Sequence, residues 1–177
     1  MKKINLLDCT LRDGGYYNNW DFSKKFIKQY ILGIRSTGIK FVEIGFRFNE
    51  KKKIKGLTAY TDKKLINSLA LPKDIEFGVM INTGDIITNG KLNVKVLKKL
   101  VNKNNTKKLK FIRLACHQNE VFHLAYCLKY LKKLNLKVFV NLMQISEIDN
   151  KYLQKILNFL KTKDITSLYL ADSLGCL

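Results

Sequence analysis

Short apolar runs rich in β-branched residues alternate along the chain with longer stretches in which apolar residues recur every three or four positions. The short runs predict six strands, over residues 4–8, 41–45, 76–81, 110–115, 137–142 and 167–171. The longer stretches predict five helices. The first begins after Asp21 or Ser23 and ends at Gly38, the second covers about residues 61–70, and the third falls within residues 94–101. The fourth and fifth carry apolar faces over residues 121–131 and 153–160. This alternation is typical of parallel βα units.

Polar residues at the strand ends help to choose between the two folds that share this alternation, an open doubly wound sheet and a (β/α)₈ barrel. They are Asp8, Glu43, Arg113, Asn141 and Asp172. Charged groups at the mouths of apolar strands are costly unless they are paired or functional, and barrels carry their chemistry at these strand ends. The sequence therefore predicts an α/β fold of the TIM-barrel type, as one domain over residues 1–177. Since a complete barrel takes about 250 residues, we expect it to be truncated after the sixth strand.

The charge of the chain is strongly basic, with 33 Lys and Arg against 14 Asp and Glu, a net +19. Such a charge is typical of proteins that bind nucleic acid or anionic substrates. Because the lysines are scattered over every predicted helix and no aromatic-basic RNA-binding module is present, we interpret them as solvated faces. We expect no specific nucleic-acid partner, and a preference for anionic over neutral substrates. Nucleic-acid binding stays the weaker alternative.

Membrane and secretory segments are not predicted. No apolar run reaches the roughly 18 to 20 residues that a membrane span needs, and Asp8 and Arg12 interrupt the N-terminal apolar run before a signal sequence could form. We therefore expect a cytoplasmic protein. In that compartment free thiols are expected for the four cysteines, which form no CxxC pair or zinc-site spacing and occupy positions 9, 116, 127 and 176.

The clearest candidate for chemistry is LDCTLRDGG, residues 7–15, in which an apolar strand runs into an Arg-Asp pair and two glycines. Arg12 and Asp13 can project a cation and a hard oxygen ligand into one cavity. The carboxylate suits Mg²⁺ or Mn²⁺, and the guanidinium can bind a substrate carboxylate or stabilise an enolate. An ordinary surface turn is the alternative, but the complete string after a strand favours a functional site.

This string and four later segments resemble one enzyme family. The later segments are VEIG at 42–45, RLACHQNE at 113–120, VFVNLM at 138–143 and YLADSLG at 169–175, and they follow the family's order along essentially the whole chain. The chain is thus similar to the divalent-metal aldolases and acyl lyases that share an α/β barrel, a group that includes hydroxymethylglutaryl-CoA lyase and the isopropylmalate and homocitrate synthases. The segment at 113–120 looks like 4-hydroxy-2-oxovalerate aldolase.

The resemblance implies roles for individual residues. Asp13 matches the aspartate that binds the metal, Mn²⁺ or Mg²⁺, and Arg12 matches the arginine that contacts the oxo-acid end of the substrate and stabilises the enolate. Positions that line the cavity and support the metal shell by hydrogen bonds match Glu43, Asn141, Asp172 and Ser173.

Two departures from the family pattern concern the catalytic base and the remaining metal ligands. The hydroxy-oxovalerate aldolases have a histidine as base where this chain has Tyr16, and an unperturbed tyrosine, with a pKa near 10, is a poor base at neutral pH. Either another group takes the proton or the substrate differs. The family completes its metal site with a His-x-His pair on a seventh strand, beyond the six predicted here. His117 and His123 lie too far apart for one helical face; His117 is compatible with either a catalytic or a structural role, and His123 is expected to be structural.

The sequence thus predicts a divalent-metal aldolase that cleaves or forms a 4-hydroxy-2-oxo acid through a pyruvate-type enolate. An acyl-CoA condensing or cleaving enzyme is the close alternative. The other alternative is a non-catalytic barrel fragment that needs a second chain. As partners, the resemblance suggests a 2-oxo acid substrate and an aldehyde dehydrogenase, and it leaves a homo-oligomer open.

Overall fold

The computed structural model describes residues 4–50, 55–172 and 175, so Ser173 and Cys176 lie outside the described residues. The chain divides into two compact units. One comprises residues 1–80 and 103–111, and the other comprises residues 81–102 and 112–177. The expected single domain over residues 1–177 stays a prediction.

The described residues of the first unit form three strands that pair in parallel in the order in which they occur in the chain. They are β1 (Leu7–Asp8), β2 (Phe41–Phe46) and β3 (Glu76–Asn82). Its helices are α1 (Thr10–Asp13), α2 (Gly15–Asn18), α3 (Lys24–Ile34), α4 (Leu57–Tyr60) and α5 (Lys63–Ser68), with a 3₁₀ turn at Arg35–Thr37.

Helix α3 forms as its sequence predicts. Ser23 rather than Asp21 caps it, accepting a hydrogen bond from the backbone N–H of Phe26 at 3.1 Å. Its apolar face buries Ile27, Ile31 and Ile34. The segment ends at Gly38, whose φ of +76° is a left-handed conformation that glycine adopts without strain.

Strand β2 is buried on both faces, as is usual for a parallel strand. Because neighbouring residues of a strand point to opposite faces, Val42 and Ile44 lie on one face and Glu43 lies on the other. A buried carboxylate needs a partner, and Glu43 finds one in the loop after β1. A register shift between Glu43 and Phe46 bends this end of the strand.

The described residues of the second unit form five strand segments and three helices. In chain order the strands are β4 (Ile87–Thr88), β5 (Lys91–Leu92), β6 (Phe111–Cys116), β7 (Lys137–Met143) and β8 (Ser167–Ala171). The helices are α6 (Val94–Leu100), α7 (Ala125–Lys133) and α8 (Asn150–Lys161). Strands β7 and β8 pair in parallel, and 3₁₀ turns occupy Thr83–Asp85, Val121–Leu124 and Ile145–Glu147.

The predicted α/β class is confirmed, and all six predicted strands are present. Five of them match within one or two residues at each end, whereas the first is reduced to Leu7–Asp8. The segment after it, for which the sequence predicted neither a helix nor a strand, contains α1 and α2. The β4–β5 hairpin was not predicted either, although Asn89 and Gly90 form its turn with φ of +50° and +68°, and Asn-Gly is a strong hairpin signal.

Among residues 4–50, 55–172 and 175, no helix has the length and apolar character needed to cross a lipid bilayer.

Candidate functional site

The loop that carries Arg12 and Asp13 is fixed at its start by Asp8, the last residue of β1. One carboxylate oxygen of Asp8 accepts the backbone N–H of Thr10 at 3.0 Å and also the hydroxyl of Tyr30, and the other accepts the Thr10 hydroxyl at 3.1 Å. Leu11 points into the core and is fully buried, which is worth about 1.5–3 kcal/mol. The turn therefore presents Arg12 and Asp13 from a backbone that is held in place.

Arg12 lies between two carboxylates. Its Nε donates to Oε1 of Glu43 at 2.8 Å, and its Nη1 donates to Oδ1 of Asp13 at 2.7 Å. The Arg12 side chain is 14% exposed, whereas that of Glu43 is fully buried and that of Asp13 is 67% exposed. Burial, the largest single influence, would lower the pKa of Arg12, but Glu43 and Cys9 together outweigh burial and raise that pKa above its ordinary value. Arg12 is thus a permanent cation in a fixed orientation.

Tyr16 follows this loop and packs against the aromatic side chains of Trp20 and Phe46, with ring centroids 4.9 and 6.2 Å away in edge-to-face contacts. Burial raises the pKa of the Tyr16 phenol above its ordinary value; Arg12 lowers it, and Asp13 raises it further. The phenol therefore stays protonated at neutral pH. In that form it can donate a hydrogen bond, but it is a poor proton acceptor.

The second unit places a buried arginine on its strands. Arg113 of β6 donates from Nη2 to Oδ1 of Asn141 on β7, and its guanidinium carbon lies 4.4 Å from the ring centroid of Tyr169 on β8. Arg113 is 7% exposed and Asn141 is 6% exposed. Sequence reasoning noted Arg113 at a strand end but assigned it no role. Its position in an otherwise apolar strand was the signal, because a buried guanidinium needs partners.

The remaining predicted residues of the second unit lie at strand ends. Asp172, just after β8, accepts a hydrogen bond from the hydroxyl of Ser146 at 3.2 Å. His117, just after β6, is exposed, and its backbone N–H donates to the carboxylate of Glu120 at 2.9 Å. Thr83 also donates its hydroxyl to this carboxylate. Glu120 therefore shapes the loop that carries His117.

His117 lines a cleft of about 780 Å³ in the loops that follow β6 and β7. The lining side chains combine amides, carboxylates and apolar groups, and they belong to His117, Gln118, Asn119, Glu120, Met143, Gln144, Glu147, Ile148, Asp149 and Tyr152. The volume of the cleft lies within the range of small-molecule sites, roughly 300–1,000 Å³.

His123 is exposed and belongs to the 3₁₀ turn Val121–Leu124.

The predicted residues are therefore brought together in separate groups. Within the first unit Arg12, Asp13 and Glu43 form one connected set, and Tyr16 lies close enough for their charges to affect its pKa. Within the second unit Asn141 pairs with Arg113, and Asp172 pairs with Ser146.

The described residues do not by themselves make a metal site. Over the described ranges, no group of three or more His, Cys, Asp or Glu side chains is placed to hold a metal ion. The exposed carboxylate of Asp13 has suitable chemistry for a hard divalent cation, but one carboxylate is a weak site, because affinity grows with the number and charge of the ligands. A site with three or more such ligands would therefore need side chains from outside the described residues.

Comparisons with known proteins agree with this fold. The chain resembles the N-terminal domain of a candidate aldolase from Bacteroides vulgatus, at 29% identity and a TM-score of 0.65, over 91% of this chain and 52% of that one. It shares its fold with the hydroxymethylglutaryl-CoA lyase of Bacillus subtilis, at 12% identity and a TM-score of 0.75, over 100% of this chain and 60% of that one. The corresponding lyase of Pseudomonas aeruginosa gives 10% identity and a TM-score of 0.69, over 99% of this chain and 60% of that one.

The chain thus spans between about half and two thirds of these structures' length. None of the curated proteins compared with it is significantly similar. The model of the HMGL-like family, in contrast, matches residues 3–177. Since that match takes in nearly the whole sequence and includes the Arg12–Asp13 loop, the chain belongs to the HMGL-like family.

Proposed function

We propose that this HMGL-like chain acts in the cleavage or formation of a carbon–carbon bond in a 4-hydroxy-2-oxo acid, as part of a (β/α)₈ barrel. The observation that carries the proposal is the state of Arg12, a guanidinium held between Glu43 and Asp13 and still 14% exposed. A fixed, partly accessible cation beside a strand end suits an anion that gains charge during a reaction. The net charge of +19 agrees with an anionic substrate.

Arg12 would hold the oxo-acid end of the substrate. A guanidinium has five N–H donors in a planar fork, and the contacts with Glu43 and Asp13 use two of them. Donors thus remain for a carboxylate or enolate oxygen. In the cleavage direction the 4-hydroxyl loses its proton, the C3–C4 bond breaks, and an aldehyde leaves. The electron pair stays on the three-carbon unit as a pyruvate-type enolate, whose negative charge Arg12 would stabilise without reorienting.

Glu43 would act through Arg12. Its carboxylate is fully buried and binds Nε, the guanidinium nitrogen nearest the side-chain stem, so it fixes the plane of the guanidinium. Tyr16 would contribute a protonated phenol, as a hydrogen-bond donor. For the base we propose His117, which is exposed in the cleft between the loops after β6 and β7. Asn141 and Asp172 would line the substrate cavity, and the same role is proposed for Ser173.

The proposal includes a divalent metal, Mn²⁺ or Mg²⁺, with Asp13 as one of its ligands. Family members are typically metal-dependent, and an exposed carboxylate is a suitable hard ligand. A docked aldehyde dehydrogenase that takes up the aldehyde belongs to the same proposal. A second candidate function is a barrel part that works only with a second chain, and coverage of the similar structures over 52–60% of their length is compatible with it.

The test is the release of pyruvate from a panel of 4-hydroxy-2-oxo acids, with and without Mn²⁺, followed by a coupled dehydrogenase. The variants are Asp13→Ala and, as a matched control, Asp21→Ala, which removes another exposed carboxylate of the same segment. We expect Mn²⁺-dependent turnover that Asp13→Ala abolishes and Asp21→Ala preserves. Turnover that survives Asp13→Ala would refute the assignment, and a native chain that is inactive alone but active with a second polypeptide would favour the second candidate.

A further inference from the structure

We infer that Trp20 is a positioning residue that fixes Arg12 through the Arg12 backbone. The effect that we expect on catalysis rests on the proposed function, whereas the fixing of Arg12 by Trp20 does not depend on that function. The indole Nε1–H donates to the carbonyl oxygen of Arg12 at 2.8 Å. Trp20 is only 5% exposed, so its ring offers almost no surface to a substrate. A role through Arg12 therefore fits the geometry better than direct contact with a ligand.

The indole also contacts the strand that supplies the partner of Arg12. Its ring packs edge to face against Phe46, the last residue of β2, with centroids 5.7 Å apart. Phe46 lies three residues after Glu43 on that strand, and its ring centroid is 5.9 Å from the guanidinium carbon of Arg12. A second edge-to-face contact, at 5.4 Å, joins Trp20 to Phe48. One side chain thus ties the backbone of Arg12 to the strand that carries Glu43.

The backbone at Trp20 is strained in a way that supports this reading. Asn19 and Trp20 have φ of +55° and +59°, and a bulky residue in the left-handed region is a genuine outlier. Such strain persists only where the surroundings over-determine it, and it clusters at functional sites. Here the backbone N–H of Trp20 donates to the carbonyl of Gly15 at 3.0 Å, and its carbonyl accepts the hydroxyl of Thr58 at 3.3 Å.

Two glycines leave the space that Trp20 occupies. A Cβ at Gly15 would lie 2.0 Å from Cδ1 of the indole, and a Cβ at Gly56 would lie 2.3 Å from the carbonyl oxygen of Trp20. Gly15 directly follows the Arg12–Asp13–Gly14 segment, so the absence of a side chain there lets the indole reach back to the Arg12 carbonyl. This gives a reason for the glycine at position 15 that a tight turn alone does not.

The experiment exploits the fact that Trp20 is the only tryptophan of the 177 residues. Growth of a tryptophan auxotroph on benzothienylalanine replaces the indole N–H by sulfur and leaves the ring shape nearly unchanged. Gly15→Ala displaces the indole by placing a methyl group where the ring now lies. Tyr17→Phe is the control, because the Tyr17 side chain is 95% exposed. The first readout is the rate of solvent exchange of the Arg12 Nε–H, measured by ¹⁵N NMR; its signal is assigned by its loss in Arg12→Lys. The second readout is the rate at which the methyl protons of pyruvate exchange in D₂O in the presence of Mn²⁺.

In the benzothienylalanine protein we expect Arg12 Nε–H exchange to be about tenfold faster, the effect of one hydrogen bond. We expect kcat for methyl exchange to fall by a similar factor while KM changes less than twofold. Gly15→Ala should show the same pattern, and Tyr17→Phe should show neither effect. Arg12 Nε–H exchange within twofold of the native rate in the benzothienylalanine protein would overturn the inference, even if that protein were less stable. Faster Nε–H exchange with no pyruvate exchange in any variant, the native chain included, would instead refute the proposed function and leave the positioning role standing.

Discussion

Replacing Glu43 by glutamine should lower the free energy of unfolding substantially, because the substitution removes a buried negative charge. It hardly changes the volume of the side chain. In the native chain the Glu43 carboxylate is fully buried, and its Oε1 lies 2.8 Å from Nε of Arg12. The glutamine amide oxygen can still accept that N–H, but it no longer balances the positive charge. The perturbation therefore isolates the electrostatic part of the contact.

The magnitude follows from the burial of the two partners. Removal of one member of a buried ion pair costs about 3–5 kcal/mol, because the other charge is left uncompensated. Arg12 keeps Asp13, but that side chain is 67% exposed, and exposed pairs are worth about 0–1 kcal/mol. With the hydrogen-bond acceptor retained, we place Glu43→Gln at the lower end, about 3 kcal/mol of unfolding free energy. Asp13→Asn should cost less than about 1 kcal/mol.

Urea unfolding followed by Trp20 fluorescence measures both variants. Trp20 is buried in the same unit as Arg12 and Glu43, so its emission reports the unfolding of the relevant unit. A double-mutant cycle with Arg12→Met separates the pair from its surroundings. Since removal of both charges leaves neither one uncompensated, the double variant should be less destabilised than the sum of the two single variants by at least about 1.5 kcal/mol.

Two results would refute this reasoning. One is a loss below about 1 kcal/mol in Glu43→Gln, which is what an exposed pair would give. The other is strict additivity in the cycle, which would mean that Arg12 and Glu43 contribute independently.

Three further predictions concern side chains whose pKa is shifted. Burial raises the pKa of the Cys116 and Cys127 thiols to about 12. Among the three cysteines that the structure describes, iodoacetamide at pH 8 should therefore label half-buried Cys9 first, and mass spectrometry should find Cys116 and Cys127 modified only after unfolding. The thiols of the unfolded chain lose their protons at lower pH than these buried thiols do. The unfolding free energy should therefore fall as pH rises from about 9 towards 12, by up to about 1.4 kcal/mol per pH unit and thiol. Cys127→Val should reduce this slope, and a flat profile in the native chain would contradict the prediction. For Tyr16, whose phenol pKa is raised mainly by burial, Tyr16→Phe should leave the pH dependence of turnover between pH 6 and 9 unchanged, and the loss of a limb in that range would show that the phenol titrates there.

Local patterns in the sequence were sufficient for the strands and for the candidate loop. Hydrophobic alternation and helical spacing depend on the backbone repeat, so they marked the positions of β2, β3 and β6 to β8 within one or two residues. The Arg12–Asp13 pair was found because it belongs to the complete string LDCTLRDGG that begins in an apolar strand, whereas a bare Arg-Asp turn would not have been distinctive. The short helices α1 and α2 were missed, since a polar, glycine-rich segment has no apolar period. Helix α1 is held by Leu11 in the core and by the hydrogen bonds between Thr10 and Asp8, which a periodic pattern does not show.

Only the tertiary structure decided which polar residues pair. Glu43 is 31 positions from Arg12, and Asn141 is 28 positions from Arg113, and no local pattern encodes such a pairing. Neither could the sequence reveal that the indole of Trp20 reaches back to the Arg12 carbonyl, because that contact needs two left-handed residues and the space above Gly15. The sequence by itself thus determined where charge meets an apolar strand. The folded chain determined which partner each buried charge finds, since a buried ion needs a counter-ion or hydrogen-bond acceptors beside it, and the distance along the chain has no part in that energy.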